Sequence, residues 1–135
     1  LQNYGSSWMT SETLSFDFPF SSDLPSYLWR FSNLEELAFF SYYGPIPSDI
    51  AKLSNLKTLL ISGQIPSEIG NLSQLEYLYI DTTFKVPSEI GRLSKLENIK
   101  ISCSGVTGSQ KLAKEICSLD AQFQVTGCYC TRGKN

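Results

Sequence analysis

A chain of 135 residues, 41% hydrophobic and 18% charged, has the length and composition of one globular domain. A formal net charge of −2 with no basic run removes the electrostatic footprint that nucleic acid or an anionic membrane surface needs, so no nucleic-acid partner is expected. The absence of histidine excludes Ser-His-Asp and Cys-His catalysis, histidine metal sites and histidine acid–base pairs.

Residues 1–12, LQNYGSSWMTSE, carry no periodicity and no cysteine and are expected to be an irregular N-terminal segment. No charged leader precedes an apolar run at Leu1, so a signal peptide, had there been one, is expected to have been removed. No apolar run is long enough to cross a bilayer, and no transmembrane segment is expected.

A first, degenerate unit begins at Thr13. Leu14 and Phe16 are its inward strand residues, Leu24-Pro25 starts its return path, and Leu28, Phe31, Leu34, Leu37 and Phe39 continue the inward set. Phe31 stands where later units have Leu, a larger ring that fills imperfect stacking. Trp29 falls at a position expected to face outward and shield the far side.

Three clearer units follow: GPIPSDIAKLSNLKTLLIS from Gly44, GQIPSEIGNLSQLEYLYID from Gly63 and FKVPSEIGRLSKLENIKIS from Phe84. In each, apolar residues recur every three or four positions and then alternate. The first period places a short helical turn on a core and the second places a strand on it. Each unit is therefore one coil of a solenoid, with Leu59, Ile61, Leu78, Ile80, Ile99 and Ile101 pointing inward and a proline at the start of each turn, where its missing N–H costs nothing. A single coil cannot bury its own apolar face, so stability comes from stacking on neighbours.

These units resemble leucine-rich repeats of the plant-type extracellular class, with its GxIPxxIGxLxxLxxLxL consensus, over roughly residues 13–119. The resemblance implies an α/β leucine-rich repeat solenoid, with a short parallel β-sheet on the concave face, helical or irregular turns on the convex face and about four or five repeats. Repeats are assigned to residues 13–109 and a C-terminal cysteine-containing cap to 110–135. Coil length departs from the pattern: Pro25, Pro47, Pro66 and Pro87 are 22, 19 and 21 residues apart, against about 24 for the plant-type coil. The shortfall lies between strand and proline, most sharply after Ser62. Either the coil is a short variant, or loop residues are absent from this stretch, which is the reading the otherwise faithful leucine spacing favours. The Asn that normally satisfies backbone groups in this turn is missing too; Tyr42, Thr83 and Ser104 stand near its position.

KLAKEICSL, residues 111–119, reads as a last amphipathic helix with Leu112, Ile116 and Leu119 on one face, and Phe123 and Val125 as a short last strand. All four cysteines, Cys103, Cys117, Cys128 and Cys130, fall in this final stretch. A disulfide-closed cap is the reading preferred over a zinc site, whose ligands come in closer pairs, and over free thiols. Cys128 with Cys130 would close a strained ring, which leaves Cys117 with either of them and Cys103 with the other. The cap resembles those of secreted leucine-rich proteins of diatoms and related algae. Disulfides imply an oxidising compartment, and Asn71-Leu72-Ser73 is a glycosylation acceptor sequence on the convex side. A secreted, cell-surface or lumenal protein is expected.

No phosphate-binding or dinucleotide-binding glycine loop is present, and adjacent acids such as Glu35 and Glu36 point to opposite faces of a strand, so neither an enzyme nor a cofactor is expected. Binding remains. Outward strand residues of successive coils align into columns: Ser15, Ala38, Leu60, Tyr79 and Lys100; Thr13, Glu36, Thr58, Tyr77 and Asn98; Asp17, Phe40, Ser62, Asp81 and Ser102. Phe40, Leu60, Tyr77 and Tyr79, bordered by Glu36, Asp81 and Lys100 and extended by Tyr42 and Tyr43, have the composition of a protein-recognition patch. The alternative is that these aromatics only satisfy strand propensity. A non-catalytic module recognising another protein or peptide is the leading expectation. A structural or adhesion subunit of a larger extracellular or lumenal complex is the alternative. Carbohydrate or ice binding is weaker, because Thr82 and Thr83 do not recur in register.

Overall fold

The computed structural model describes residues 12–17, 23–40, 42, 44–81, 85–101, 118, 123–126 and 129–132, with backbone only for Phe16, Asp17, Phe40 and the segments after 122. Residues 1–11 and the cysteines other than Cys130 lie outside this set, as do Tyr43, Thr82, Thr83, Ser102 and all of the expected helix 111–119 apart from Ser118.

Four short 3-10 helices, Ser26–Arg30, Ser48–Lys52, Ser67–Asn71 and Ser88–Arg92, follow Pro25, Pro47, Pro66 and Pro87. Their geometry follows from the apolar spacing. A 3-10 helix has three residues per turn, so a strict period of three puts every apolar side chain on one edge. The chain of bonds shows this: the Ile50 N–H donates to the Pro47 carbonyl at 3.1 Å, Leu53 to Ile50 at 3.1 Å and Leu56 to Leu53 at 3.1 Å. The same ladder recurs from Pro66 to Leu75 and from Pro87 to Leu96. Each coil thus lays down three inward side chains before its strand begins.

The strands are β1 (Thr13–Asp17), β2 (Glu36–Phe40), β3 (Thr58–Ser62), β4 (Tyr77–Asp81), β5 (Asn98–Ile101), β6 (Phe123–Thr126) and β7 (Tyr129–Arg132). β1 to β5 are parallel neighbours in chain order. Leu14, Leu37, Leu59, Leu78 and Ile99 occupy one register row, and all are buried in one continuous core with the 3-10 residues. Burying each such side chain stabilises the fold by roughly 1.5–3 kcal/mol before the entropy of ordering it is subtracted.

The expected last strand is β6, and the structure adds a second. β7 pairs antiparallel with both β5 and β6, with Ile99 opposite Cys130 and Val125 opposite Cys130. The hairpin covers the β5 edge of the parallel sheet, an edge that would otherwise offer unpaired backbone groups.

The coils part at one place. β2 and β3 stay in register only from Glu36↔Thr58 to Ala38↔Leu60, and they meet again at an isolated bridge between Pro45 and Gln64. The chain takes seven steps from Ala38 to Pro45 but four from Leu60 to Gln64, so the longer coil bulges over the shorter one. The short turn after Ser62 is held by its own backbone bonds. Gly63 adopts φ +97 and turns the chain within one residue, after which the Gln64 N–H reaches the Gly44 carbonyl at 3.0 Å and the Ile46 N–H reaches the Gln64 carbonyl at 2.9 Å. A 19-residue coil closes with the residues it has.

Three side-chain placements differ from expectation for the same reason. Trp29, expected on the outside, is buried at 5% exposure and meets Phe39 edge-on at 6.4 Å between ring centroids. Later coils carry Ala51 and Gly70 at that position, and a Cβ on Gly70 would lie 2.7 Å from the Glu89 carbonyl. In the first coil the indole at this position packs against Phe39. Tyr42, expected to extend the surface patch, is buried at 3% with its ring 6.4 Å from Phe39 and its hydroxyl donating to the Pro45 carbonyl at 3.0 Å. Ser62, expected in an outward column, is also buried. Its hydroxyl accepts from the Tyr42 N–H at 2.9 Å and donates to the Phe39 carbonyl at 3.3 Å. That hydroxyl restores the bonding that the parted strands lose, the role the sequence leaves without an Asn.

Candidate functional site

The open face of the parallel sheet is built by the residues that alternate with the buried row. In β4 the pattern is regular: Leu78 and Ile80 point into the core, which turns Tyr77, Tyr79 and Asp81 to the other face. Register then fixes their neighbours. Glu36, Thr58, Tyr77 and Asn98 form one row, and Ala38, Leu60, Tyr79 and Lys100 the next. Two of the three expected columns are therefore in place; the third is interrupted where β2 and β3 part before Phe40 meets Ser62, and the Ser62 side chain is buried.

Leu60, Tyr77 and Tyr79 are half-buried, so each presents apolar surface while staying anchored on the sheet. The Lys100 ammonium sits 5.8 Å from the centroid of the Tyr79 ring, a cation–π contact that holds the ring on one side. Asp81 and Glu36 are exposed at the patch margin, and Glu36 accepts a hydrogen bond from the Thr13 hydroxyl at 3.3 Å. Leu60, Tyr77, Tyr79, Asp81, Lys100 and Glu36 are thus gathered on one face. Phe40 is placed on β2 opposite Asp17, and its side chain is outside the described residues.

A row that the sequence reading missed borders this face. The residues just before each strand, Glu12, Glu35, Lys57, Glu76 and Glu97, are stitched together by backbone bonds. The Glu35 carbonyl accepts from Lys57 and Thr58 at 2.8 and 3.0 Å, the Lys57 carbonyl from Glu76 and Tyr77 at 2.8 and 3.0 Å, and the Glu76 carbonyl from Glu97 and Asn98 at 2.9 and 3.2 Å. Lys57 pairs with Glu35 at 2.9 Å. That hydrogen bond and the Glu35 charge raise the Lys57 pKa above its ordinary value, with Glu76 and Glu12 adding to it. Reading the repeat one position earlier would have found the row.

The profile of a leucine-rich repeat region matches residues 22–126, most of the chain. The protein belongs to the leucine-rich repeat family. Among solved structures, a leucine-rich repeat protein of Leptospira interrogans is similar at 25% identity and a TM-score of 0.58, over 67% of this chain and 26% of that one. Internalin C2 of Listeria monocytogenes is similar at 24% identity and a TM-score of 0.54, over 70% of this chain and 45% of that one. This leucine-rich repeat chain therefore spans about a quarter and under half of the lengths of those two proteins. No curated protein matches it in sequence. The fold supports a protein-interaction module in general. No helix among the described residues is long and apolar enough to cross a membrane.

Proposed function

We propose that this leucine-rich repeat chain is a non-catalytic recognition module that captures a protein or peptide on the open face of its parallel sheet. Leu60, Tyr77 and Tyr79 supply the apolar anchor, and Glu36, Asp81 and Lys100 the polar rim. One observation carries the reading: strand register sets Leu60 beside Tyr79 and Thr58 beside Tyr77, all half-buried, on the face the core does not use. Aromatic side chains held rigidly and ringed by polar groups concentrate binding energy because little entropy is lost on contact. We further read the protein as secreted, cell-surface or lumenal, with Cys103, Cys117, Cys128 and Cys130 in disulfides of the cap and Asn71 as a glycan acceptor. Asn71 is exposed at the end of its 3-10 helix, while Leu72 beside it is buried.

The test is selection of random dodecapeptides on the immobilised protein, followed by binding to a Tyr77→Ala/Tyr79→Ala variant. The expected result is an unchanged melting temperature with affinity lower by about tenfold or more, the scale of truncating interface anchors. Equal affinity for the double variant would remove this face from the function.

A further inference from the structure

The open sheet face carries a charge pattern that identifies the chemistry of its occupant. On this face and its border, the residues whose side chains are described include six carboxylates, Glu12, Glu35, Glu36, Glu76, Asp81 and Glu97, against two ammonium groups, Lys57 and Lys100, while Asp17 on β1 and Arg132 on β7 are placed by their backbone alone. Both ammonium groups are already engaged, Lys57 by Glu35 and Lys100 over the Tyr79 ring. Glu76 and Glu97 stand on adjacent coils, brought together by the backbone bonds from Glu97 and Asn98 to the Glu76 carbonyl. Like charges held side by side across neighbouring strands repel, so this arrangement costs stability unless a cation lies between them. The far side of the solenoid differs. There Asp49 pairs with Lys52, and Arg92 closes the same helix that Glu89 opens.

We propose that the occupant of this face is a cationic peptide segment of a partner protein, with an apolar side chain seated on Leu60 and Tyr79 and Lys or Arg side chains reaching Glu36, Glu76 and Glu97. The proposal rests on the preceding reading that the open face binds. Tyr77 lies in the row between the apolar anchor and the acidic border, so an arginine crossing it meets an aromatic face and a carboxylate within one side-chain length. Lys100, over the Tyr79 ring, repels a second cation above the apolar anchor and leaves the basic residues to the border where Glu36, Glu76 and Glu97 stand.

The same dodecapeptide selection tests this. Selected peptides should be enriched in Lys and Arg over the starting library and should lose affinity as salt rises. A Glu36→Gln/Glu76→Gln/Glu97→Gln variant should bind them about tenfold more weakly, as expected for three partly exposed ion pairs together. An Asp49→Asn/Glu68→Gln/Glu89→Gln variant, with the same change in net charge on the far side, should bind as the parent does. Peptides without enriched positive charge, or equal loss in the two charge variants, would overturn the proposal. Loss in the Tyr77→Ala/Tyr79→Ala variant without loss in the Glu36, Glu76 and Glu97 variant would overturn the cationic occupant and leave the binding face standing. Loss in neither would overturn both.

Discussion

Along β3, β4 and β5 the coils differ little: the strands pair in register, and Leu72, Leu75, Leu78 and Ile80 stack on Leu93, Leu96, Ile99 and Ile101. Between Phe39 and Gly63 the neighbouring coils part, and the space is filled by Trp29, Phe39 and Tyr42 and bridged by the Ser62 hydroxyl. The first region is stable because every coil repeats its neighbour, so each inward side chain has an equivalent leucine or isoleucine to touch. The second is stable because individual side chains repair a mismatch of three residues, with Trp29 where later coils carry Ala51 and Gly70. A solenoid therefore tolerates unequal coils where large rings and a buried hydroxyl can occupy the difference.

The largest effect is expected in the regular region. Leu78→Ala removes a fully buried side chain between Leu59 and Ile99 and should cost about 2–5 kcal/mol, read as a lower urea midpoint. A smaller loss there than at the mismatch would overturn the contrast. Gly63→Ala comes next, because its new Cβ would lie 2.6 Å from the Gly44 carbonyl at a φ of +97. About 2–3 kcal/mol is expected from the left-handed backbone and the clash together, and an unchanged midpoint would mean the short turn is not held as described. Tyr42→Phe is the mildest. It removes the bond to the Pro45 carbonyl and should cost about 1 kcal/mol at neutral pH.

The same variant separates the regions by pH. Burial first, and the Asp23 charge second, raise the Tyr42 pKa above its ordinary value. The folded state thus keeps the proton that the unfolded chain releases near pH 10, so this stability is complete below about pH 10 and is lost as pH rises through the folded pKa. Tyr42→Phe should flatten the alkaline loss of stability relative to the parent, measured as midpoint against pH. An identical alkaline slope would show that Tyr42 does not titrate with unfolding.

Much of this was legible before any coordinates, because periodicity is a local property. Apolar spacing of three or four followed by alternation specifies a short helical turn and a strand, and repetition of that pattern specifies parallel neighbours, so the rows through Leu60 and Tyr79 and through Thr58 and Tyr77 follow from alignment alone. The acidic row was legible in the same way, one position before each strand, although its continuity needs the bonds that join Glu35, Lys57, Glu76 and Glu97.

The tertiary structure decided what happens where coils of unequal length meet. Whether Trp29, Tyr42 and Ser62 face water or the core depends on the gap between two coils, a distance that neither coil's own sequence contains. The β6–β7 hairpin is the same kind of case: alternation marks Phe123 and Val125 as a strand, but only packing against β5 selects Cys130 as the neighbour of Ile99. Spacing along the chain sets which residues are equivalent, and the volume left between coils sets which of them can be buried.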